Sequence, residues 1–141
     1  MSDIAVPRPV SQLLALPGLD HLARLALASP FLVSGIVKLL DFSGATAEMA
    51  GLGLEPASLF AGAVVATQLG GSLLFLTRRW CWLGAGMLAV FTAIATLLAH
   101  PFWAFEGADR GRQTATFFEH AAIVGGLAVA ALLVNRRAGR S

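Results

Sequence analysis

The sequence is poor in the residues that soluble and secreted domains depend on. Charged residues make up only 13% of its 141 residues, against 57% hydrophobic residues. A single cysteine, Cys81, excludes an internal disulfide and a Cys-x-x-Cys pair for thiol–disulfide exchange. We interpret Cys81 as a packing residue. The N-terminal 20 residues lack a basic head, a sustained apolar core and a small-residue cleavage site, so no cleaved signal is expected.

Three other patterns are missing. No apolar run alternates with period two, which disfavours a membrane β-barrel. The net charge is +2 and the isoelectric point is about 9.5. The basic residues nevertheless form no single patch with interleaved aromatics, so nucleic-acid binding is not predicted. No compact spacing of His, Cys and carboxylate residues is present, and we therefore expect no metal site.

Long apolar runs, in contrast, fill most of the chain. A hydrocarbon core about 30 Å thick is crossed by about 20 helical residues. Four runs approach that length, at 22–40, 58–77, 80–99 and 117–134, and the mean hydropathy is +0.75. Because each backbone must satisfy its own polar groups in lipid, the sequence predicts an all-α, integral-membrane four-helix bundle. We expect an N-terminal cytoplasmic or interfacial segment (1–21), the transmembrane domain (22–135) and a basic cytoplasmic tail (136–141).

The distribution of basic residues predicts the orientation of this bundle. If the chain crosses four times, seven of its ten Lys and Arg residues lie on the side of the N-terminus. They are Arg8, Arg24, Arg78, Arg79, Arg136, Arg137 and Arg140, against Lys38, Arg110 and Arg112 on the other side. An excess of Lys and Arg in short loops marks the cytoplasmic face. Both termini are therefore predicted to be cytoplasmic.

Several local features can be predicted from residue type. Asp20 is a candidate N-cap of the first span, and Arg24, one turn further on, is expected to snorkel to the interface. The segment 41–57, broken by Gly and Pro, is too short to cross and is expected to cover the mouth of the bundle. Residues 106–116 are expected to form a polar loop. Two small-residue ridges are predicted to allow close helix packing, Gly62–Ala66–Gly70 and Ala122–Gly126–Ala130.

Polar residues inside the spans are the candidates for function, because burying them in lipid is costly. The candidate residues are Lys38, Gln68, Thr96, His100, Glu119 and His120. Four of them, Lys38, His100, Glu119 and His120, fall at a similar depth, towards the end of the bundle away from the termini, and Gln68 lies deeper. Thr92, Thr96 and His100 follow a four-residue spacing and share one helix face.

Two interpretations of this polar layer stay open. In the first, it is a pocket for a redox-active headgroup such as a quinone, where histidine or lysine bonds the oxygens and Glu119 moves protons. In the second, Lys38 and Glu119 form a structural ion pair, and both histidines are interfacial hydrogen-bonding residues. Haem ligation by His100 and His120 is geometrically conceivable, but no further haem feature supports it.

At these residues the chain resembles the DoxX family of small four-span bacterial membrane proteins. The resemblance covers residues 22 to 133 and rests on LARLALASPFLVSGIVKLLDFSG, MAGLGLEPA, ATQLGGSLLFL, LLAHPFW and FFEHAAIVGGL, in this order. The family pattern usually has a basic residue where this chain has Glu119, whereas His120 matches.

The resemblance implies a multi-pass protein of the bacterial inner membrane. Some members are similar to subunits of quinone-linked sulfur-oxidising or terminal oxidase complexes, and others are linked to oxidative-stress defence. An accessory subunit of a quinone-linked system, not an enzyme on its own, is therefore the leading expectation. Its partners would be membrane lipid and either other membrane subunits or further copies of the chain. A purely structural scaffold and a small-solute transporter are the alternatives.

Overall fold

The computed structural model describes residues 5–138. This part of the chain is helical and contains no strand. Its elements are α1 (Arg8–Leu14), α2 (Leu19–Leu40), α3 (Phe42–Gly51), α4 (Ala57–Leu76), α5 (Cys81–Ala99), a 3-10 turn (Phe102–Ala104) and α6 (Gly107–Ala138). None of the residues of α1 is buried. The predicted tail 136–141 begins as the last turn of α6, and its final residues, including Arg140, lie outside the described part.

Four helices in the described part are long and apolar enough to cross a membrane, which confirms the predicted number of spans. They are Leu19–Leu40, Ala57–Leu76, Cys81–Ala104 and Gly107–Arg136. The expected polar loop at 106–116 is wrong, because α6 begins at Gly107, ten residues before the predicted fourth span. The Arg112–Asp109 ion pair and the bond from Thr114 Oγ1 to the Arg110 carbonyl support this polar extension.

The spans pack in chain order, α2 on α4, α4 on α5 and α5 on α6, whereas α2 and α6 touch sparsely. Consecutive spans are antiparallel, so two ends can be named. The arginine end carries Arg24, Arg78, Arg79 and Arg136, and the histidine end carries Lys38, His100 and His120. The main core includes Phe31, Phe75, Cys81, Leu88 and Leu127. Cys81 is fully buried there, as a packing residue.

Helices α4 and α5 approach each other closely, at different glycines from those predicted. A Cβ at Gly84 would lie 2.5 Å from the Gly71 carbonyl oxygen and 2.7 Å from Phe75 Cα. At Gly62 and Gly70, in contrast, a Cβ would have no described atom within 4 Å, and Ala66 is exposed. Within the described residues, no helix therefore packs on the first predicted ridge.

The predicted ridge on α6 does face a neighbouring helix. A Cβ at Gly126 would contact Leu27 of α2 at 3.2 Å, and Ala130 packs against the main core. Ala122, the third residue of the ridge, is exposed. Two of its three residues therefore lie at helix contacts.

The start of α2 also differs from the prediction. The helix begins at Leu19 after Gly18, whose φ of +90° suits glycine, so Asp20 lies within the first turn and not at the N-cap. Arg24 is only 6% exposed, and its Nη2 donates to Asp20 Oδ2 at 3.0 Å. Arg24 therefore lies inside the protein, where it reaches back to Asp20 at the start of α2.

Helix α3 covers the bundle at the histidine end, as the segment 41–57 was expected to do. Ala45 and Met49 of α3 form a second small core with Ala57 and Ala61 of α4. Asp41 caps α3 by accepting hydrogen bonds from the Gly44 amide at 2.9 Å and from the Ser43 hydroxyl at 3.0 Å. These two bonds lower the pKa of the Asp41 carboxyl below its ordinary value.

Candidate functional site

A cavity of about 540 Å³ opens among the four spans at the histidine end. Four of the six candidate residues predicted from sequence line it, namely Lys38, Gln68, His100 and His120. Its walls are otherwise mainly apolar, and Met49, Leu52 and Leu54, in and after α3, cover it. A concave, mostly apolar cavity with a few convergent polar groups is the usual form of a small-molecule site.

Thr96 does not line the cavity but fixes the ring of His120. The Thr96 hydroxyl donates its single proton to the Thr92 carbonyl at 2.6 Å, while Thr96 Oγ1 lies 2.8 Å from His120 Nδ1. Because that proton is already used, Nδ1 must carry hydrogen and donate to Thr96. The other ring nitrogen, Nε2, is therefore the unprotonated one in the neutral imidazole and is a hydrogen-bond acceptor.

His100 is oriented in the same way by α6. Its Nδ1 lies 2.7 Å from Oε1 of Gln113, an oxygen that can only accept, so Nδ1 donates and Nε2 is again an acceptor. The two imidazole rings lie edge to face with their centroids 5.1 Å apart. The chain thus places two histidines side by side at the wall of the cavity, and in the neutral form of each ring Nε2 is the acceptor nitrogen.

Gln68 supplies a third acceptor, deeper in the bundle. Its Nε2 donates to Ser34 Oγ of α2 at 3.1 Å, and the side chain is only 5% exposed. Its Oε1 is buried without a hydrogen-bond partner among the described residues. A buried carbonyl oxygen in this state costs roughly 1–3 kcal/mol, so a ligand donor at this position would be stabilising.

Lys38 is at the mouth of the cavity, paired with a residue that the sequence reasoning did not single out. Its Nζ bonds the Glu48 carboxylate of α3, and the proposed Lys38–Glu119 pair is wrong. Glu119 is exposed and does not line the cavity, because it is one residue from His120 and faces away. Glu48 follows Lys38 by ten residues, within a segment that was expected only to cover the bundle.

Gln113 was also missed, for a simpler reason. Because residues 106–116 were expected to form a loop, the seven-residue spacing between Gln113 and His120, which places both on one face of a helix, was not considered. Extending the fourth helix by two turns would have revealed it. Within residues 5–138, no three His, Cys, Asp or Glu side chains converge in a way that could hold a metal ion.

Comparisons with known proteins add one match. A family model described as DoxX matches residues 19–101, from the first residue of α2 to just past the end of α5. The matched range holds Lys38, Gln68 and His100, whereas His120 and the rest of α6 lie beyond it. The searches of curated proteins and of solved structures return no match.

Proposed function

The chain belongs to the DoxX family and carries several membrane-spanning helices, and from this premise we propose that its cavity binds a quinone-class headgroup. In this proposal the protein is an accessory subunit of a quinone-linked redox or oxidative-stress system in the bacterial inner membrane. Other membrane subunits would supply the remaining redox centres, since the cavity itself holds only binding and proton-accepting groups.

The observation that carries the proposal is the set of unused acceptors in an otherwise apolar cavity. Gln68 Oε1 has no partner among the described residues, and Nε2 of both His100 and His120 is left as an acceptor by the bonds at Nδ1. Polar residues that only joined helices would use their hydrogen-bonding atoms on one another. Here a volume of about 540 Å³ lies beside them.

The same atoms favour the reduced form of the ligand. A quinone carbonyl only accepts hydrogen bonds, whereas a quinol hydroxyl donates as well. The cavity offers three hydrogen-bond acceptors but few donors, because Lys38 is already paired with Glu48. We therefore expect quinol to bind more tightly than quinone, with His120 Nε2 holding a hydroxyl proton and its Nδ1 anchored on Thr96.

A binding experiment on the purified full chain tests this proposal. In mild detergent, a short-chain quinol should bind, and His120→Ala and Gln68→Leu should each weaken binding about tenfold, the loss expected for one buried hydrogen bond. His21→Ala is the matched control, because His21 is exposed at the arginine end, away from the cavity. Absence of quinol and quinone binding, or unchanged binding by His120→Ala, would contradict the proposal.

A structural scaffold is the second candidate, and one observation favours it. The cavity side chains also tie helices together, through Gln68–Ser34 between α4 and α2 and His100–Gln113 between α5 and α6. A scaffold predicts that His120→Ala lowers thermal stability with no difference between ligand-free and ligand-treated protein. A ligand-dependent stability shift that His120→Ala abolishes would reject it.

A further inference from the structure

A second, smaller cavity lies at the arginine end, away from the proposed headgroup site. It has a volume of about 170 Å³ and lies between α2 and α6, where these helices touch sparsely. Asp20, Arg24 and Leu27 form one wall, and Gly126, Ala130 and Leu133 form another. It shares no lining residue with the cavity at the histidine end.

The unusual group in this cavity is the guanidinium of Arg24. Its side chain is only 7% exposed, and Asp20 accepts from Nη2 at 3.0 Å. Nη1 is buried without a hydrogen-bond partner among the described residues. A guanidinium has five N–H donors, so a single carboxylate oxygen leaves most of its capacity unused. A buried charged donor in this state is costly unless a further acceptor is bound.

The chemistry of the missing acceptor follows from the guanidinium and its surroundings. Arginine binds phosphate and carboxylate oxyanions through two parallel N–H bonds. Asp20 compensates the charge of Arg24, and the exposed Arg78, Arg79 and Arg136 at the same end leave the region positive. A negatively charged phosphate group fits these conditions, whereas a headgroup with its own ammonium group would be repelled by the surrounding arginines.

The walls of the cavity indicate that the phosphate is attached to a hydrocarbon chain. Leu27, Val129 and Leu133 line it along the seam of α2 and α6, and Val129 and Leu133 are exposed on the outer surface of α6. In a membrane that surface faces acyl chains. We propose that the arginine end holds an anionic glycerophospholipid, with its phosphate on Arg24 and one acyl chain along the α2–α6 seam.

Thermal unfolding of the full chain in mild detergent tests this assignment. Phosphatidylglycerol should raise the unfolding temperature of the wild type more than phosphatidylcholine or inorganic phosphate does. Arg24→Gln should weaken the response to phosphatidylglycerol about tenfold in lipid concentration, the loss expected for a charge-assisted hydrogen bond. Arg78→Gln is the matched control, since it removes one exposed charge from the same end, and it should respond like the wild type.

A second variant keeps the test informative if Arg24→Gln does not fold. Ala130→Leu fills part of the cavity with a larger side chain and leaves Arg24 and Asp20 in place, so it should also weaken the lipid response. An equal response to phosphatidylcholine or to inorganic phosphate would overturn the assignment to an anionic lipid. So would a wild-type response retained by Arg24→Gln, or by Ala130→Leu where Arg24→Gln does not fold, which would leave buried water as the partner of Nη1.

Discussion

Within an apolar bundle, each polar side chain is oriented by the few hydrogen bonds that its own and the neighbouring helix provide. Thr96 is the clearest case, because its hydroxyl both donates to the Thr92 carbonyl and accepts from His120 Nδ1. A residue outside the cavity thereby decides which nitrogen of His120 is the acceptor. The role of Thr96 in the proposed site is positioning, and its loss should be separable from the loss of His120 itself.

Thr96→Val keeps the shape of the side chain and removes the hydroxyl. His120 Nδ1 then loses its acceptor, so the ring is free to adopt the other tautomer, and quinol binding should fall several-fold. Thr96→Ser should restore it. Nitrogen NMR of labelled histidine would report the tautomer directly, independently of ligand. An unchanged tautomer in Thr96→Val would contradict the positioning role.

Glycines on α5 offer a matched pair for a stability test. A Cβ at Gly84 would meet backbone atoms of Gly71 and Phe75, which cannot move aside, whereas a Cβ at Gly86 has open space. Gly84→Ala should therefore destabilise the protein by about 1–3 kcal/mol or prevent folding, as overpacking does. Gly86→Ala should be neutral or slightly stabilising, since alanine favours helix. Equal unfolding free energies for the two variants would contradict the packing described between α4 and α5.

The errors and successes of the sequence predictions have physical causes. The number of spans was predicted correctly because length and hydropathy determine it. The packing face of α4 was not, because that helix is apolar on all sides and a shift from Gly71 to Gly70 turns the ridge by about 100°. The Lys38–Glu119 pair was predicted from their similar depth in the membrane. Depth does not determine which side of a helix a residue lies on, and Lys38 pairs with Glu48 instead. Thr92, Thr96 and His100, in contrast, follow a polar four-residue spacing, and the buried Thr92 and Thr96 lie on one inward face.

At the scale of the element, α3 is the part of the fold that depends most on polar contacts. It is ten residues long and is joined to the bundle by a small core, the Lys38–Glu48 pair and the Asp41 cap. Because α3 covers the larger cavity, any loosening of α3 would open that cavity. Its order is therefore expected to respond to pH through the Asp41 cap.

Asp41 gives this response a defined direction. Its pKa is lowered in the folded state by the Gly44 amide and the Ser43 hydroxyl, so the stabilisation is present above the ordinary value of 3.8. It is lost as pH falls through the lowered folded-state value. In a Glu48→Gln background, which removes the other carboxyl group of α3, the protection factors of α3 amides, corrected for the intrinsic pH dependence of exchange, should therefore fall only below about pH 3.8. Adding Asp41→Asn, which keeps a capping oxygen but does not titrate, should remove that acid step. A step of the same size in the double variant would exclude Asp41 as its cause.

At the scale of the whole molecule, the outer surface is largely hydrocarbon-like. Large hydrophobic side chains such as Leu22, Val33, Leu73 and Val90 are more than 60% exposed, which would be unfavourable in water and is favourable in lipid. The fourth span is the least buried of the four. Because lipid satisfies such a face, its exposure does not by itself require a protein partner. The orientation of the bundle in the membrane depends instead on its charged ends.

The arginine end should face the cytoplasm. The exposed Arg78 and Arg79 lie in the short turn between α4 and α5, where positive charge has most influence on orientation, whereas Arg24 is buried beside Asp20 and contributes less. A green fluorescent protein fused after Ser141 should therefore fluoresce, and alkaline phosphatase inserted at Gly53, between α3 and α4, should be active. Replacing Arg78 and Arg79 with glutamine should weaken this bias, because Arg110 and Arg112 at the opposite end are then less outnumbered. Active phosphatase after Ser141 would mean an inverted bundle, and the larger cavity would then open towards the cytoplasm.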